Sequence, residues 1–451
     1  MAAYSIRWSP SYARCYTGAS PKYAFVHEAT SSPAVSYYHY IIIRGGTAGC
    51  PLAATLSSNY KVLLLERGGS PYGNPNITNL SSFGYSLSDL STTSPSQRFI
   101  SEDGVINSRA RVLGGGTSLN AGFYSRAEPQ YVKDSSWDGK LVNESYEWVE
   151  KIVAFKPKVE AWQSAVRDGL LEAGGCPITD LHLTTVMVLK LVAPYLTVKG
   201  NDILRLICFN MQILNGSLFF SMLLSVGFCL GKQKPVAYGV IFTDASGITH
   251  KAYLNQESGL GSKNEIVLSA GALVSPQLLM LSGVGPAAHL RSLNITVMVD
   301  QPLVGQGMSD NPMNAIYIPS PIEVEVSLVQ VVGITEFGSY IEAASGANYL
   351  ERALKIGDVV KDLEMLLPHN QQLHTNVSPK RRTSLEVMKN DFNSIAFKGG
   401  FIIEKVVVPL STGHLELETK NPKTSNGVLM VLKQSRRYDT IIYTACLDTT
   451  R

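Results

Sequence analysis

The stretch YHYIIIRGGTAGCPLAATLSSNYKVLLLERGG, beginning at Tyr38, limits what this chain can fold into more than any other. Tyr40 to Ile43 is a short β-branched apolar run, the pattern of a strand buried on both faces. A glycine cluster follows, then small and apolar residues from Cys50 to Leu56 suited to a helix lying close on a sheet. A second apolar run, Lys61 to Leu65, ends in Glu66. Strand, glycine turn, helix and strand within about thirty residues make a βαβ dinucleotide module. In such a unit the N–H groups and dipole at the helix N-terminus receive a pyrophosphate. Gly46 lets the backbone approach that phosphate, and Gly49 lets the helix lie close to the strand. Glu66 stands 20 residues after Gly46, where a carboxylate can accept from ribose hydroxyls. Arg44 occupies the place of the first, tight-turn glycine. A non-glycine residue held at positive φ there costs roughly 1–2 kcal/mol, and its long side chain either crowds the cofactor or lends charge to the pyrophosphate. The competing reading is a degenerate loop that holds no nucleotide.

At 451 residues the chain exceeds the size at which one core stops growing, so two domains are expected. A net charge of +3 over that length, with no basic tract interleaved with aromatics, excludes a nucleic-acid surface. The six cysteines lie far apart, and no His, Cys or carboxylate pair has ligand spacing, so no metal is expected. Sequons at Asn76, Asn79, Asn143, Asn215, Asn294 and Asn376 permit glycosylation of a secreted chain. Met1 to Cys15 lacks the apolar run of a signal peptide, so either the leader lies outside this sequence or the chain is not secreted. Composition does not fix an oligomeric state.

A second glycine cluster, ARVLGGGTSLNAGFYSRA from Ala110 to Ala127, is permissive enough to press against a flat ring. Further on, GALVSPQLLMLSGVG from Gly271 to Gly285 reads as an apolar helix with a Ser-Pro start and a Ser-Gly-Val-Gly stop. In this order the three segments resemble the glucose-methanol-choline (GMC) FAD oxidoreductases, and within them the plant branch of HOTHEAD-like proteins and mandelonitrile (hydroxynitrile) lyases. VGQGMSDNPMN from Val304 and PLSTGHLEL from Pro409 also look like that family.

The resemblance implies an α/β fold: a Rossmann-like FAD domain with a parallel sheet, plus an α+β substrate domain with an antiparallel sheet. It implies FAD, with Thr47, Ala48, Glu66 and Arg67 on the ADP moiety beside Gly46 and Gly49. Val112, Gly116, Asn120, Ala121, Gly122 and Phe123 would line the isoalloxazine ring and ribityl chain. The reaction it implies is oxidation of an alcohol CH–OH by hydride transfer to flavin. The alternatives are cyanohydrin cleavage on the same scaffold and an inactive, truncated relative. Family members draw their base from a histidine in a C-terminal segment. Asn426 to Arg451 has no histidine and no likeness to that segment, so no catalytic residue is assigned and the last part of the FAD domain is expected to be missing.

The expected boundaries are an N-terminal extension 1–37, an FAD domain 38–301, a partial substrate domain 302–422 and a divergent tail 423–451. Segment 181–235 is atypical, with no charge from Leu206 to Gly231. A bilayer span, a buried insertion, and an unspliced intron or shifted frame are the three readings, the last favoured because family likeness stops and resumes around it. Three histidines have bland readings: His414 as structural, His250 and His289 as solvated or capping.

Overall fold

The computed structural model describes residues 26–71, 74–78, 82–89, 91, 93–101, 106–122, 124–127, 129–155, 159–172, 187–188, 218–221, 225–231, 236–255, 264–311, 313–334, 339–346, 399–406, 409 and 411–419. The elements that position the site begin with strands β1 (Val26–Glu28), β2 (Val35–Tyr38) and β3 (Tyr40–Ile43), helix α1 (Gly49–Ser57) and strand β4 (Val62–Leu65). A hairpin, β5 (Ser96–Ile100) and β6 (Ile106–Ala110), and helix α2 (Ala161–Glu172) follow. Next come β7 (Leu218–Ser221), β8 (Ser225–Leu230), β9 (Ala237–Thr243), β10 (Thr249–Leu254), β11 (Glu265–Leu268) and helix α3 (Gly271–Leu281). The last group is β12 (Met313–Pro319), β13 (Val332–Ile334), β14 (Ser339–Ser345) and β15 (Gly399–Val406).

Five strands form a parallel sheet in the order β1-β7-β4-β3-β11. The continuous apolar runs in β3 and β4 are explained by burial on both faces. Ile42 and Leu64 pack with Cys50, Ala53 and Ala54 of α1, where small side chains let the helix settle close to the sheet. Ile41, Ile43, Leu63 and Leu65 face the other way, onto Val240, Phe242 and Ala252 and onto Val274 and Leu278 of α3. Each such fully buried aliphatic contributes roughly 1.5–3 kcal/mol over leaving it in water. The second layer is a sheet of order β8-β9-β10-β2, antiparallel except where β2 runs parallel to β10.

Two strands, β1 and β2, come from the stretch 1–37 that the sequence sets apart as an extension. Both are short, and their partners lie about 190 to 215 residues further along the chain. The uncharged stretch 206–231 supplies β7 to the parallel sheet and β8 to the antiparallel one. No helix among the described residues is long and apolar enough to cross a membrane. Helix α3 starts at Gly271, five residues ahead of Pro276, so the proline sits inside the helix rather than at its start.

The third sheet, antiparallel in the order β12-β15-β14-β13, lies within the expected substrate domain. Helix α2 covers one face of it through Trp162 and Val166 against Ala343. Gln163, fully buried, fastens that contact. Its amide N–H groups donate to Ser327 Oγ (3.0 Å) and Ala343 O (2.9 Å), and its carbonyl accepts from the Gln330 and Val331 N–H groups (both 3.2 Å).

His250 is buried at 4% exposure, not solvated: in β10 it alternates inward with Ala252 while Thr249 and Lys251 face out. Its ring bridges Pro33 O and Asp244 Oδ2, both at 3.1 Å, and Asp244 also accepts from the Ser246 (2.8 Å) and Ile248 (2.9 Å) N–H groups. Burial alone would raise the Asp244 carboxyl, but donation by His250, Ile248 and Ser246 outweighs it and holds the group below its usual range. The native pKa is therefore lower than the unfolded value of about 3.9. This contribution to stability is complete above that value and is lost as pH falls through the native pKa. Urea unfolding across the acid range is expected to show that loss in the wild type and a flatter profile in Asp244→Asn.

Candidate functional site

The site lies at the carboxyl ends of β3 and β4, where open parallel sheets bind ligands. Arg44 leaves β3 at φ 82°, and its N–H still completes the ladder to Leu65 O at 2.7 Å. The turn then closes tightly. Ser269 Oγ donates to Ile43 O (3.1 Å) and Arg44 O (3.0 Å), and the Cys50 N–H donates to Gly46 O (3.0 Å) as α1 begins. A Cβ on Gly49 would collide with Arg44 O and come within 2.7 Å of Ser269 Oγ. Beside Gly46 there is room, the nearest atoms to an added Cβ being Ser269 O at 3.9 Å and Gly115 Cα at 4.0 Å.

The second glycine cluster docks directly on the first. The Gly114 N–H donates to Gly45 O (2.7 Å), and Thr47 Oγ1 meets Thr117 Oγ1 at 3.5 Å. Gly115, at φ 59°, comes so close that an added Cβ would stand 2.8 Å from Gly46 Cα. Val112 is buried and bridges to Gly69, while nothing lies within 4 Å of a Cβ placed on Gly116. Asn120 Oδ1 accepts the Gly122 N–H at 3.0 Å, holding the loop past Ala121; Phe123 lies outside the described residues. The two motifs, some seventy residues apart, thus form one cradle.

Glu66 is buried, at 3% exposure, and saturated: Oε2 accepts from the Gly45 N–H (3.0 Å), and Oε1 from the Gly68 N–H (2.7 Å) and Arg44 Nη1 (3.2 Å). Arg44, 15% exposed, turns its guanidinium onto Glu66, the carboxylate expected to meet a ribose. Around that pair lies a cationic cluster in which Arg67, expected at the ADP moiety, is joined by Arg109 and Arg111. Arg67 donates to Gln97 Oε1, which also receives Arg109 Nη2 (2.8 Å) and Nε (3.1 Å), while Arg109 Nη1 donates to Gln277 Oε1 (3.2 Å). Arg111 donates to Ser94 O (3.0 Å) and Ser91 O (2.9 Å). Burial pushes the Arg109 guanidinium down to about 10, with Arg44 and Arg111 adding to the effect. Burial and the neighbouring arginines also lower Arg67, against Glu66 alone. Arg67 Nε is buried without a hydrogen-bond partner.

The excess of guanidiniums over carboxylates here, with Glu66 acting on Arg44 and Arg67 and Asp89 on Arg111, together with the space beside Gly46, suits an anionic group such as a dinucleotide's phosphates. A ribose diol seated at Glu66 would have to displace Arg44 from it. Removing that competition is expected to tighten FAD or ADP binding about tenfold in Arg44→Gly, the equivalent of about 1.4 kcal/mol, while the relieved positive φ adds to folding stability and not to affinity. Quenching of flavin fluorescence on titration checks this, and an unchanged affinity would show that Arg44 does not compete. The described histidines do not converge on the cradle. His289 Nε2 accepts the Leu417 N–H (3.0 Å), and His414 meets Glu416 at 3.3 Å. No group of His, Cys, Asp and Glu among the described residues could hold a metal ion.

Residues 210–313 match the family model described as GMC oxidoreductase, beginning inside the uncharged stretch. The chain is 42% identical over 394 residues to the protein HOTHEAD of Arabidopsis thaliana, covering 86% of this chain and 64% of that one. To the (R)-mandelonitrile lyase-like protein of the same plant it is 44% identical over 330 residues, 71% of this chain and 59% of the relative. It thus spans less than two thirds of the length of these relatives. The solved pyridoxine 4-oxidase from Mesorbium loti superposes with a TM-score of 0.62 at 17% identity, over 91% of this chain and 79% of that one, which shows a shared fold.

Proposed function

Because the chain belongs to the GMC oxidoreductase family, we propose that it binds FAD and oxidises the CH–OH group of a small-molecule alcohol. The observation that carries this reading is the joined cradle: the loop Gly45–Gly49 and the loop Gly114–Ser118 abut above a buried carboxylate and a cluster of arginines. FAD, when bound, supplies the acceptor for the substrate's hydride. The residues of the chain bind and orient. Gly46, Thr47, Ala48 and Gly49 present the α1 N-terminus to the pyrophosphate, with Glu66 and Arg67 at the ADP end. Val112, Gly116, Asn120, Ala121 and Gly122, with Phe123 by family likeness, would line the ring and ribityl chain. A Cβ on Gly114 would strike Ser118 Oγ and one on Gly115 would crowd Gly46 Cα, so these glycines keep the two loops joined, while the space beside Gly116 stays open; Leu119 and Ile77 pack with Val112 to hold the loop.

The family likeness also covers mandelonitrile lyases, and one experiment separates the two chemistries. With protein loaded with FAD under anaerobic conditions, oxidation predicts that an alcohol bleaches the flavin absorbance. A lyase releases cyanide from mandelonitrile while the flavin stays oxidised. A protein that takes up no FAD would sink both readings.

A further inference from the structure

Three of the six Asn-x-Ser/Thr sequons, those at Asn76, Asn143 and Asn294, fall among the described residues. Such a triplet is an N-glycosylation acceptor on a surface loop, and the three stand in different surroundings. Asn76 is half-buried in the short helix Pro75–Thr78, next to Ile77, which is 2% exposed and packs with Val112 and Leu119 of the second glycine loop. Asn143 lies inside the helix Gly139–Val153. Its amide is clasped on both sides: Oδ1 accepts from Arg126 Nη1 (2.8 Å), and Nδ2, the atom that a sugar would take, donates to Glu147 Oε1 (2.9 Å).

Asn294 differs from both. It closes the helix Ala287–Ser292 at φ 55°, where its N–H donates to Arg291 O (3.0 Å) and the Ile295 N–H reaches back to Leu290 O (2.9 Å). This is a Schellman cap, whose left-handed position takes glycine or, next, asparagine. Asn294 and Thr296 are both exposed, and neither side chain has a hydrogen-bond partner among the described residues. The cap accounts for the asparagine; it asks nothing of position 296, where an exposed hydroxyl completes the acceptor triplet. Substitution at Asn294 Nδ2 breaks no contact among the described residues, and the cap, made by backbone groups alone, is left intact.

The place on the fold suits a bulky group. Helix α3 begins beside Ser269, which clamps the turn at Arg44, and runs 11 residues, about 16 Å at a rise of about 1.5 Å per residue. At its far end the Met298 and Val299 N–H groups donate to Gly283 O (2.8 and 3.1 Å), and a Cβ on Gly283 would strike Thr296 O. The sequon is thus fastened to the end of α3 away from the cradle.

We propose that Asn294 carries an N-linked oligosaccharide when the chain enters the secretory pathway. The co-reactant is a lipid-pyrophosphate-linked oligosaccharide. Asn294 Nδ2 attacks its anomeric carbon, and the bond from that carbon to the pyrophosphate oxygen breaks, its electron pair leaving with the lipid pyrophosphate. Nδ2 gives up one proton and keeps the other, and nothing is oxidised or reduced. Thr296 supplies the hydroxyl by which the transferase recognises the triplet.

Glycopeptide mass spectrometry of the full chain, made in plant cells behind a secretory leader, tests this. Asn294 is expected to be glycosylated in most molecules and at higher occupancy than Asn143. Thr296→Ala and Asn294→Gly are each expected to lose one glycan from the intact mass, and Thr296→Ser to keep it. Glycine suits the positive φ of the cap, so Asn294→Gly removes the amide without straining the turn. Transfer takes place in the lumen ahead of export, so the microsomal fraction gives the same answer for a chain that is retained. A chain from either fraction with Asn294 bare, or occupied no more than Asn143, overturns the proposal, as does a Thr296→Ala chain of unchanged mass.

Discussion

Glu66→Ala is expected to lower the unfolding free energy by about 3–5 kcal/mol, the cost of removing one partner from a buried ion pair. The loss is large because a single side chain answers several demands. Its two oxygens satisfy the Gly45 and Gly68 N–H groups and the Arg44 guanidinium, all of which the truncation leaves without a partner. Glu66 is also the one carboxylate that opposes the lowering of Arg67 by its arginine neighbours. Urea denaturation measures the change. A loss below about 1 kcal/mol would mean that the carboxylate is as weakly engaged as one in a surface pair.

Gly49→Ala is expected to destabilise the chain by about 3 kcal/mol and to abolish dinucleotide binding. The added methyl group points into Arg44 O, a backbone atom that cannot rotate aside, and into Ser269 Oγ. Relief requires α1 to withdraw from β3. That opens the contact of Cys50, Ala53 and Ala54 with Ile42 and Leu64 and moves the helix N-terminus away from the phosphate seat. Melting temperature and FAD titration together test this. A variant that melts like the wild type and still binds FAD would show that the turn has slack.

The first motif is legible in the sequence because its signals are local. The apolar runs, the glycine spacing and the small residues of Cys50 to Leu56 lie within one module, and the structure forms β3, α1 and β4 there. Strands β1 and β2 are not legible in this way. Each has three or four residues, and pairing with β7 and β10 some two hundred positions away creates them. The joining of the two glycine loops follows from the family order of motifs but not from the spacing. Arg44 reads as a damaged turn, and only the fold shows its guanidinium brought onto Glu66.

A signal for the arginine cluster exists in Arg109 and Arg111, which share one side of an extended chain just ahead of the glycines. Arg67, some forty residues earlier, gives no hint that it meets them. His250 also carried a usable signal, since Thr249 to Ala252 alternates with period two and places the histidine inward.

The claim that the joined loops form an ADP-binding cradle is tested most directly by equilibrium titration of the purified chain with FAD, using ADP as competitor. The expected result is saturable binding at one site per chain, displaced by ADP and abolished in Gly49→Ala. FAD that fails to saturate, or that ADP does not displace, would contradict it.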